Sequence, residues 1–524
     1  MKRLIATSAV GLGILAAAPS AMAQNFPTDD PVLRQIWREG TENSHVYTLA
    51  QTLTDSIGPR LTGSPGINNA HNWAVSMYKK WGIEARNEQY GTWTGWRRGV
   101  THIDLIEPRV RTLEGTLLAW SPGTGGKKVE GGVAILPDVQ NADEFRKWLP
   151  SVKGKFVMIS FPEPTCRTDD NWEEYGLSET IEAMRKARNE ARQAWNERVR
   201  RTGVSPAELA DALAAAGARG ILTLRWSNGW GVNKIFGAQT NRIPSLDLSC
   251  EDYGLVFRLT ENNQGPKLRL EADAQFLGEV PVYNTIAVIP GSEKPNEYVL
   301  LSAHFDSWDG ASGATDNATG TVTMMEAMRI LKAVYPNPKR TIVVGHWGGE
   351  EQGLNGSRAF AEDHPEIVQG LQALFNQDNG TGRVVNISMQ GLTSAGAHFG
   401  RWFAQLPEEI TRHITLRIPG TPGGGGSDYA SFVCYGAPAF SLSSLSWDYG
   451  TYTWHTNRDT FDKIVIEEVQ NNAILTAMLA YLASEDPEFI ARDRRIMPTN
   501  PRTGEQMPWP QCREPRRNDR PATE

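Results

Sequence analysis

Residues 297–320 read EYVLLSAHFDSWDGASGATDNATG. The first seven have the texture of a strand buried on both faces, as in a parallel sheet. The next seventeen place His304, Asp306, Asp309 and Asp316 among glycines, serines and alanines. After Asp316 the apolar residues change period, with Met324, Met328, Leu331 and Tyr335 at i, i+4, i+7 and i+11, which predicts a helix. Strand, polar loop and helix in that order form the unit of an open α/β sheet, whose ligands bind beyond the carboxyl ends of the strands. A solvated turn explains any one of the acidic residues. A metal site explains why the small residues around them leave room for a close approach.

The same unit recurs downstream. RTIVVGHW (340–347) is a second strand, followed by two glycines and then Glu350 and Glu351. LQALFN (371–376) is a third, followed by Asp378, and APAFSLSS (437–444) a fourth. Ser357 is placed to cap the helix SRAFAEDH, and a last helix over 464–484 turns Ile466, Val469, Ala473 and Ala477 inward. Near the other end, the Gly- and Pro-rich loop SIGPRLTGSPG (56–66) precedes a helix with Ala70, Trp73, Met77 and Trp81 on one face and Gly82 as its stop. The fold class is α/β, a mainly parallel mixed sheet with helices on both faces.

Residues 116–275 differ in texture. Short β-like runs (GGVAIL, GKFVMISF) lead to a long polar helix around 178–200, then to SPAELADALAAAGARGILTLRW, where Ser205 can cap a helix feeding a strand, and to RIPSLDLS. This reads as a smaller β-rich domain inserted into the first. The expected map is 1–23 leader, 24–115 with 276–490 the main α/β domain, 116–275 the insert and 491–524 a peripheral tail. Every candidate ligand lies after residue 280, so the insert is expected to shape access and to stay out of the chemistry.

The chain begins MKRLIATSAVGLGILAAAPSAMAQ, with Lys2 and Arg3, an apolar run and the small-residue pattern Ala21-Met22-Ala23. That is the layout of a secretory signal peptide cut after Ala23, and it predicts export to a periplasm or the exterior. The run is too short for a spanning helix and no later stretch is long and apolar enough, so no integral membrane segment is expected in the mature protein. Losing Lys2 and Arg3 moves the formal charge from −7 to −9, which argues against nucleic acid as a partner. The one basic run, RKARNEARQAWNERVRR (185–201), is broken by glutamates and reads as a solvated helix face. Cys166, Cys250, Cys434 and Cys512 contain no CxxC pair, which disfavours a zinc–thiolate cluster, and four cysteines allow three disulfide pairings among which the sequence does not choose. A homodimer is compatible with all of this.

The ionisable residues at the strand ends suit zinc: imidazoles from His304 and His455, carboxylates from Asp316, Glu351 and Asp378. Five ligands are too many for one zinc that keeps a position open for water. They fit two ions about 3.5–4 Å apart sharing a carboxylate. His346, inside a strand, reads as packing. Asp309 and Asp459 are equally readable as supports or turn residues, and Tyr449, Tyr452 and Trp454 as pocket lining.

HFDSWDGASGATDNATG, GGEEQGLNGS, NQDNG, GGGGSDYASFVCYGAPAF and WHTNRDT, in that order, resemble the motifs of the di-zinc exopeptidases of the aminopeptidase Y and carboxypeptidase Q type. GPRLTGSPG resembles their N-terminal signature, SWD is similar to the carboxypeptidase Q branch, and the insert resembles a protease-associated domain. The resemblance implies a zinc-exopeptidase phosphorylase/hydrolase-like core with two Zn2+ per chain. His304 and Asp378 would hold one ion, Glu351 and His455 the other, and Asp316 would bridge. Asp306 would orient His304, and Glu350 would be the general base. Where Tyr429 stands, such relatives often have His.

The function this implies is hydrolysis of terminal bonds in short peptides and dipeptides, of aminopeptidase or dipeptidase type. Alternatives are carboxypeptidase Q-like release of C-terminal residues, a glutaminyl-cyclase-like zinc enzyme, and a non-catalytic receptor-like protein. The full ligand set speaks against the last two.

Overall fold

The computed structural model describes residues 26–519, so the leader expected at 1–23 lies outside the described residues. The strand opening at residue 297 begins slightly earlier, as Lys294–His304, and it is the middle of a parallel block. Arg340–Trp347 pairs with it on one side and Leu371–Asn376 on the other, and Ala439–Ser444 continues the parallel run. Lys267–Ile289 runs antiparallel on one flank and Val384–Ser388 on the other, so the sheet is mixed and mainly parallel through its centre. All eight residues of Arg340–Trp347 and all six of Leu371–Asn376 are buried, which is why these segments read as unbroken apolar runs without alternation.

The helix Thr319–Val334 packs on one face with the last helix, Ile466–Glu485. The last helix is buried nearly all round from Val469 to Ser484, wider than the single inner face expected. The N-terminal helix Pro31–Glu42 covers its outer side, and Gly40 sits so close to Ile474 that a Cβ there would clash. The helix Pro65–Lys80 buries Ile67, Ala70, His71, Ala74 and Tyr78, with Trp73 and Met77 at its edge. Ser357 does not cap its helix. Asn355–Asp363 starts two residues earlier, and the Ser357 hydroxyl instead meets Ser431 Oγ at 2.8 Å.

Residues 116–275 gather around a separate apolar core that includes Phe156, Val157, Met158, Leu222, Leu246 and Tyr253. Within it Val129–Ile135, Phe156–Met158, Gly220–Thr223 and Ser245–Leu248 pair in parallel, and Ser205 caps Pro206–Ala215 in a reciprocal box with Glu208. Trp96, Ile103, Leu105 and Leu113 also belong to this core, although they precede residue 116. They reach it because Glu84–Glu107 and Lys267–Ile289 form a long antiparallel ribbon from one core to the other.

Disulfides join Cys166 to Cys250 and Cys434 to Cys512. The second ties the C-terminal segment to the main domain. Further along it, Arg517 pairs with Glu362 and Asp363. Among the described residues no helix is long and apolar enough to cross a membrane.

Candidate metal centre and active site

His304 is the last residue of its strand, Glu350 and Glu351 follow the end of Arg340–Trp347, and Asp378 follows Leu371–Asn376. Parallel pairing of these strands therefore brings all four to one edge of the sheet. Asp316 reaches the same edge through the loop before Thr319–Val334, and His455 through the loop after Ala439–Ser444.

The side chains converge around Asp316. Its Oδ1 lies 3.2 Å from His304 Nε2 and its Oδ2 lies 3.3 Å from His455 Nε2. His304 Nε2 is also 3.0 Å from Asp378 Oδ1, and His455 Nε2 is 2.8 Å from Glu351 Oε2. Two clusters result, His304–Asp316–Asp378 and Asp316–Glu351–His455, each able to hold one cation and sharing Asp316. All five residues expected as ligands are thus together.

The donor set fits divalent cations on structural grounds. Asp316 Oδ2 and Glu351 Oε1 are buried without a hydrogen-bond donor, which is costly unless a cation satisfies them. Burial raises the pKa of Glu351 well above the usual carboxylate range, with Asp316 adding to the effect. Burial would also raise Asp316, but His304 and His455 on its two sides hold it down. A third acidic cluster, His398–Asp486–Glu488, is different: Asp486 is engaged by His398, Trp402 and Arg401, so its charge is already met.

The supporting contacts differ from simple sequence expectation. The backbone carbonyl of Asp306 lies 3.0 Å from His304 Nδ1, while its carboxylate stands 3.8 Å away. That carboxylate instead accepts the backbone N–H groups of Glu350 (3.1 Å) and Glu351 (3.2 Å), fixing where the paired glutamates start. Asp459 accepts the N–H groups of Thr315 (2.8 Å) and Asp316 (3.0 Å), so it steadies the central carboxylate and leaves the histidine four residues before it untouched. Burial raises the pKa of Asp459 to about 7. Asp309 pairs with Arg98. His346 is buried with its Nε2 2.7 Å from the Tyr78 hydroxyl, a packing residue as its place in a strand implied. Tyr449 lies near Asp316 and helps hold its pKa down, Tyr452 reaches toward Asp170, and the Trp454 ring stacks on His455 at 4.0 Å.

Two contributors escaped the sequence reading. Arg60 is fully buried and donates to the carbonyls of Phe305, Ser312 and Gly313 at 2.7–2.8 Å, and to Gly58 at 3.1 Å. It stitches both ends of the 304–316 loop together and supplies positive charge near Asp306, Asp316, Glu351 and Asp459. An arginine inside a Gly- and Pro-rich loop was the available signal. The second contributor is the segment around 226–236, which lies within the expected insert. Ile235 N–H donates to His455 O at 2.7 Å, Phe236 meets the His455 ring edge-on at 5.3 Å, and Asn233 and Asn457 exchange hydrogen bonds. The insert was expected to stay outside the chemistry, yet it holds the loop that presents His455. That histidine has a φ of +56°, a left-handed conformation that needs such support.

Two glycines around Asp316 permit close approaches within the protein. Gly320 begins the helix against Gln377 O and Asn317 Oδ1, and any Cβ there would collide with both. Gly313, at φ +58°, closes against Ser307 in the same way. Beside the centre a cleft of about 480 Å³ opens along Thr315, Gly380 and Tyr449, faced by Trp230, Val232 and Trp447.

Residues 284–480 match the sequence profile of peptidase family M28. Carboxypeptidase Q of Mus musculus is 24% identical over 454 residues, 86% of this chain and 88% of the relative, and carboxypeptidase Q of Xenopus laevis is 26% identical over 460 residues. Among solved structures, a peptidase M28 precursor from Shewanella amazonensis superposes with a TM-score of 0.62 over 88% of this chain and 97% of its own, at 24% identity. A zinc aminopeptidase from Bacillus subtilis gives a TM-score of 0.53 over 84% and 95%, at 19% identity. At these identities the two structures speak for the fold.

Proposed function

We propose a specific reaction for this chain, a metallopeptidase of the co-catalytic zinc exopeptidase family: hydrolysis of the terminal bond of short, unblocked peptides and dipeptides. The observation that carries it is that Asp316 offers one carboxylate oxygen to each of two histidines, while each histidine meets a second carboxylate. His304 and Asp378 would hold one zinc ion, Glu351 and His455 the other, with Asp316 between them. Bound zinc would polarise the scissile carbonyl and lower the pKa of water to about 7.

Glu350 is then the general base. Its amide is held by Asp306, and it belongs to neither of the two histidine–carboxylate clusters. Burial, together with Asp378, Asp428 and Glu351 nearby, raises its pKa well above the usual range, which suits a group that must take a proton and then give it up. Glu350 accepts the proton from the attacking water and passes it to the departing amine. Arg60, Asp306 and Asp459 hold the backbone that presents these groups.

Two disulfides support export to an oxidising compartment, periplasmic or extracellular. The division into a main domain, an insert over 116–275 and a tail is likewise our reading, supported by the second apolar core. The test of function is zinc content together with turnover of a dipeptide panel. Two zinc ions per chain with dipeptide hydrolysis are expected, and metal-bound protein inert toward every peptide would overturn the reading.

A further inference from the structure

Glu350 stands in a turn with little stiffness of its own. Gly348, Gly349 and Gly353 flank it, and the last two adopt φ of +67° and +117°. Backbone this rich in glycine has many conformations open to it, so a carboxylate held in one place needs walls from outside the turn. Tyr90 is one wall: a Cβ on Gly349 would collide with its hydroxyl, and a Cβ on Gly348 would come within 3.2 Å of its ring. Asn355 is the other. Its N–H donates to Gly349 O at 3.1 Å and its side-chain amide to Gln352 O at 3.2 Å.

Two consecutive residues of the C-terminal segment grip both walls. Arg516 N–H donates to Asn355 Oδ1 at 2.9 Å, and Arg517 Nη1 donates to Tyr90 O at 3.2 Å. The Arg517 carbonyl accepts Thr92 N–H at 2.8 Å, and Asp519 Oδ2 accepts Thr94 N–H at 3.0 Å. The segment thus follows the strand Glu84–Glu107 on the edge away from its long antiparallel partner. Gly91 makes the approach possible, since any Cβ there would strike the Arg517 backbone. Both ends of the segment are tied down. Cys512 is bonded to Cys434, and the Arg517 guanidinium pairs with Asp363 at 2.7 Å and Glu362 at 3.0 Å.

We propose that residues 512–519 position Glu350 for catalysis, with the Arg516 amide and the Arg517 guanidinium as the positioning groups. They act through Asn355 and Tyr90 and not on the reacting atoms. This rests on Glu350 as the general base. Slack in the glycine turn would let its carboxylate miss the attacking water, and an error of about 1 Å at such a group costs up to about 100-fold in rate. Glu351 would be less affected, because zinc would hold its far end.

The zinc-loaded full chain is assayed on a dipeptide well below its Tm. The quantities kcat, KM, zinc content and Tm are measured for the parent, Arg516→Pro, Arg516→Ala and Arg517→Met. Arg516→Pro and Arg517→Met are measured again in a Glu350→Gln background. Arg516→Pro deletes the amide donor and Arg517→Met the guanidinium, and each should lower kcat about tenfold with KM and zinc content unchanged. Arg516→Ala keeps the amide and should retain most of kcat. In the Glu350→Gln background the same two changes should cost less than about twofold, because the group they position is gone. The Arg517 side chain is 38% exposed, so Arg517→Met decides the matter if Arg516→Pro fails to fold. Parental kcat with a lowered Tm would make the segment a brace alone and overturn the proposal. So would a full tenfold loss repeated in the Glu350→Gln background, zinc lost in step with kcat, or an equal loss in Arg516→Ala. Failure of the underlying reading shows separately, as a Glu350→Gln variant that keeps the parental kcat.

Discussion

Ile235 donates its backbone N–H to the carbonyl of His455 at 2.7 Å, so a loop from residues 116–275 is hydrogen-bonded to a histidine of the candidate metal centre. The contact is reinforced by Phe236 against the imidazole and by an isolated bridge between Lys234 and Thr456. Removing residues 116–275 would take away all of it. The sequence placed every candidate ligand after 280, but it could not show that His455 is held from elsewhere.

Phe236→Ala is therefore expected to weaken one ion and spare the other. Zinc measured after exhaustive dialysis should fall from two toward one per chain, with kcat reduced by about 10–100-fold, the cost usual for losing an outer support of a ligand. Replacing 116–275 by a linker should reach the same one-ion state. Two tightly held ions in the linker protein would show that the His455 loop stands by itself.

Glu350→Gln removes the base and leaves the ligands. Its kcat should drop by about 10²–10⁴, the range for loss of general-base catalysis, while zinc content stays at the parental value. Zinc lost in parallel with activity would mean that Glu350 and Glu351 have exchanged roles.

Arg60→Lys tests whether the 304–316 loop depends on its stitch. A lysine keeps the charge but cannot direct a planar fork at four separate carbonyls. Weaker retention of zinc against a competing chelator is expected, together with a lower Tm. Parental zinc retention would reduce Arg60 to a source of charge.

The parallel strands and the residues at their ends were legible because burial on both faces leaves apolar runs and because function needs charge where those runs stop. The five residues that gather as candidate ligands and the packing role of His346 could be read that way. The supports of the site could not, since they act through backbone groups. Asp306 and Asp459 hold amides, Arg60 holds carbonyls, and none leaves a spacing rule in the sequence. The all-round burial of Ile466–Glu485 was hidden for a related reason: the helix that covers it lies more than 400 residues away.

Asp247 gives a pH signature away from the metal centre. It is buried, with Thr223, Asn233 and the Arg225 amide as donors, and burial raises its pKa to about 6 from an ordinary value of 3.8. Between those values the folded protein binds the proton more tightly than the unfolded chain. The stabilisation is complete below about pH 4 and is lost as pH rises through about 6, at most about 3 kcal/mol. The Tm of the parent should fall across that window relative to Asp247→Asn, whose side chain does not titrate. Parallel Tm profiles for the two proteins would mean that the carboxyl is charged throughout.

Chelation should change stability as well as rate. Asp316, Glu351 and Asp378 are nearly inaccessible, and without cations their negative charge is met by the two histidines and little else. A ligand that binds only the folded chain stabilises it by about 4 kcal/mol at a thousand times its Kd. Dialysis against a strong chelator is therefore expected to abolish turnover and lower the Tm by several degrees, and readdition of zinc should restore both in step. Asp316→Ala should already resemble the chelated parent, because each ion would lose the carboxylate it shares. A chelated protein that keeps its Tm while losing all activity would place the ions outside the buried cluster.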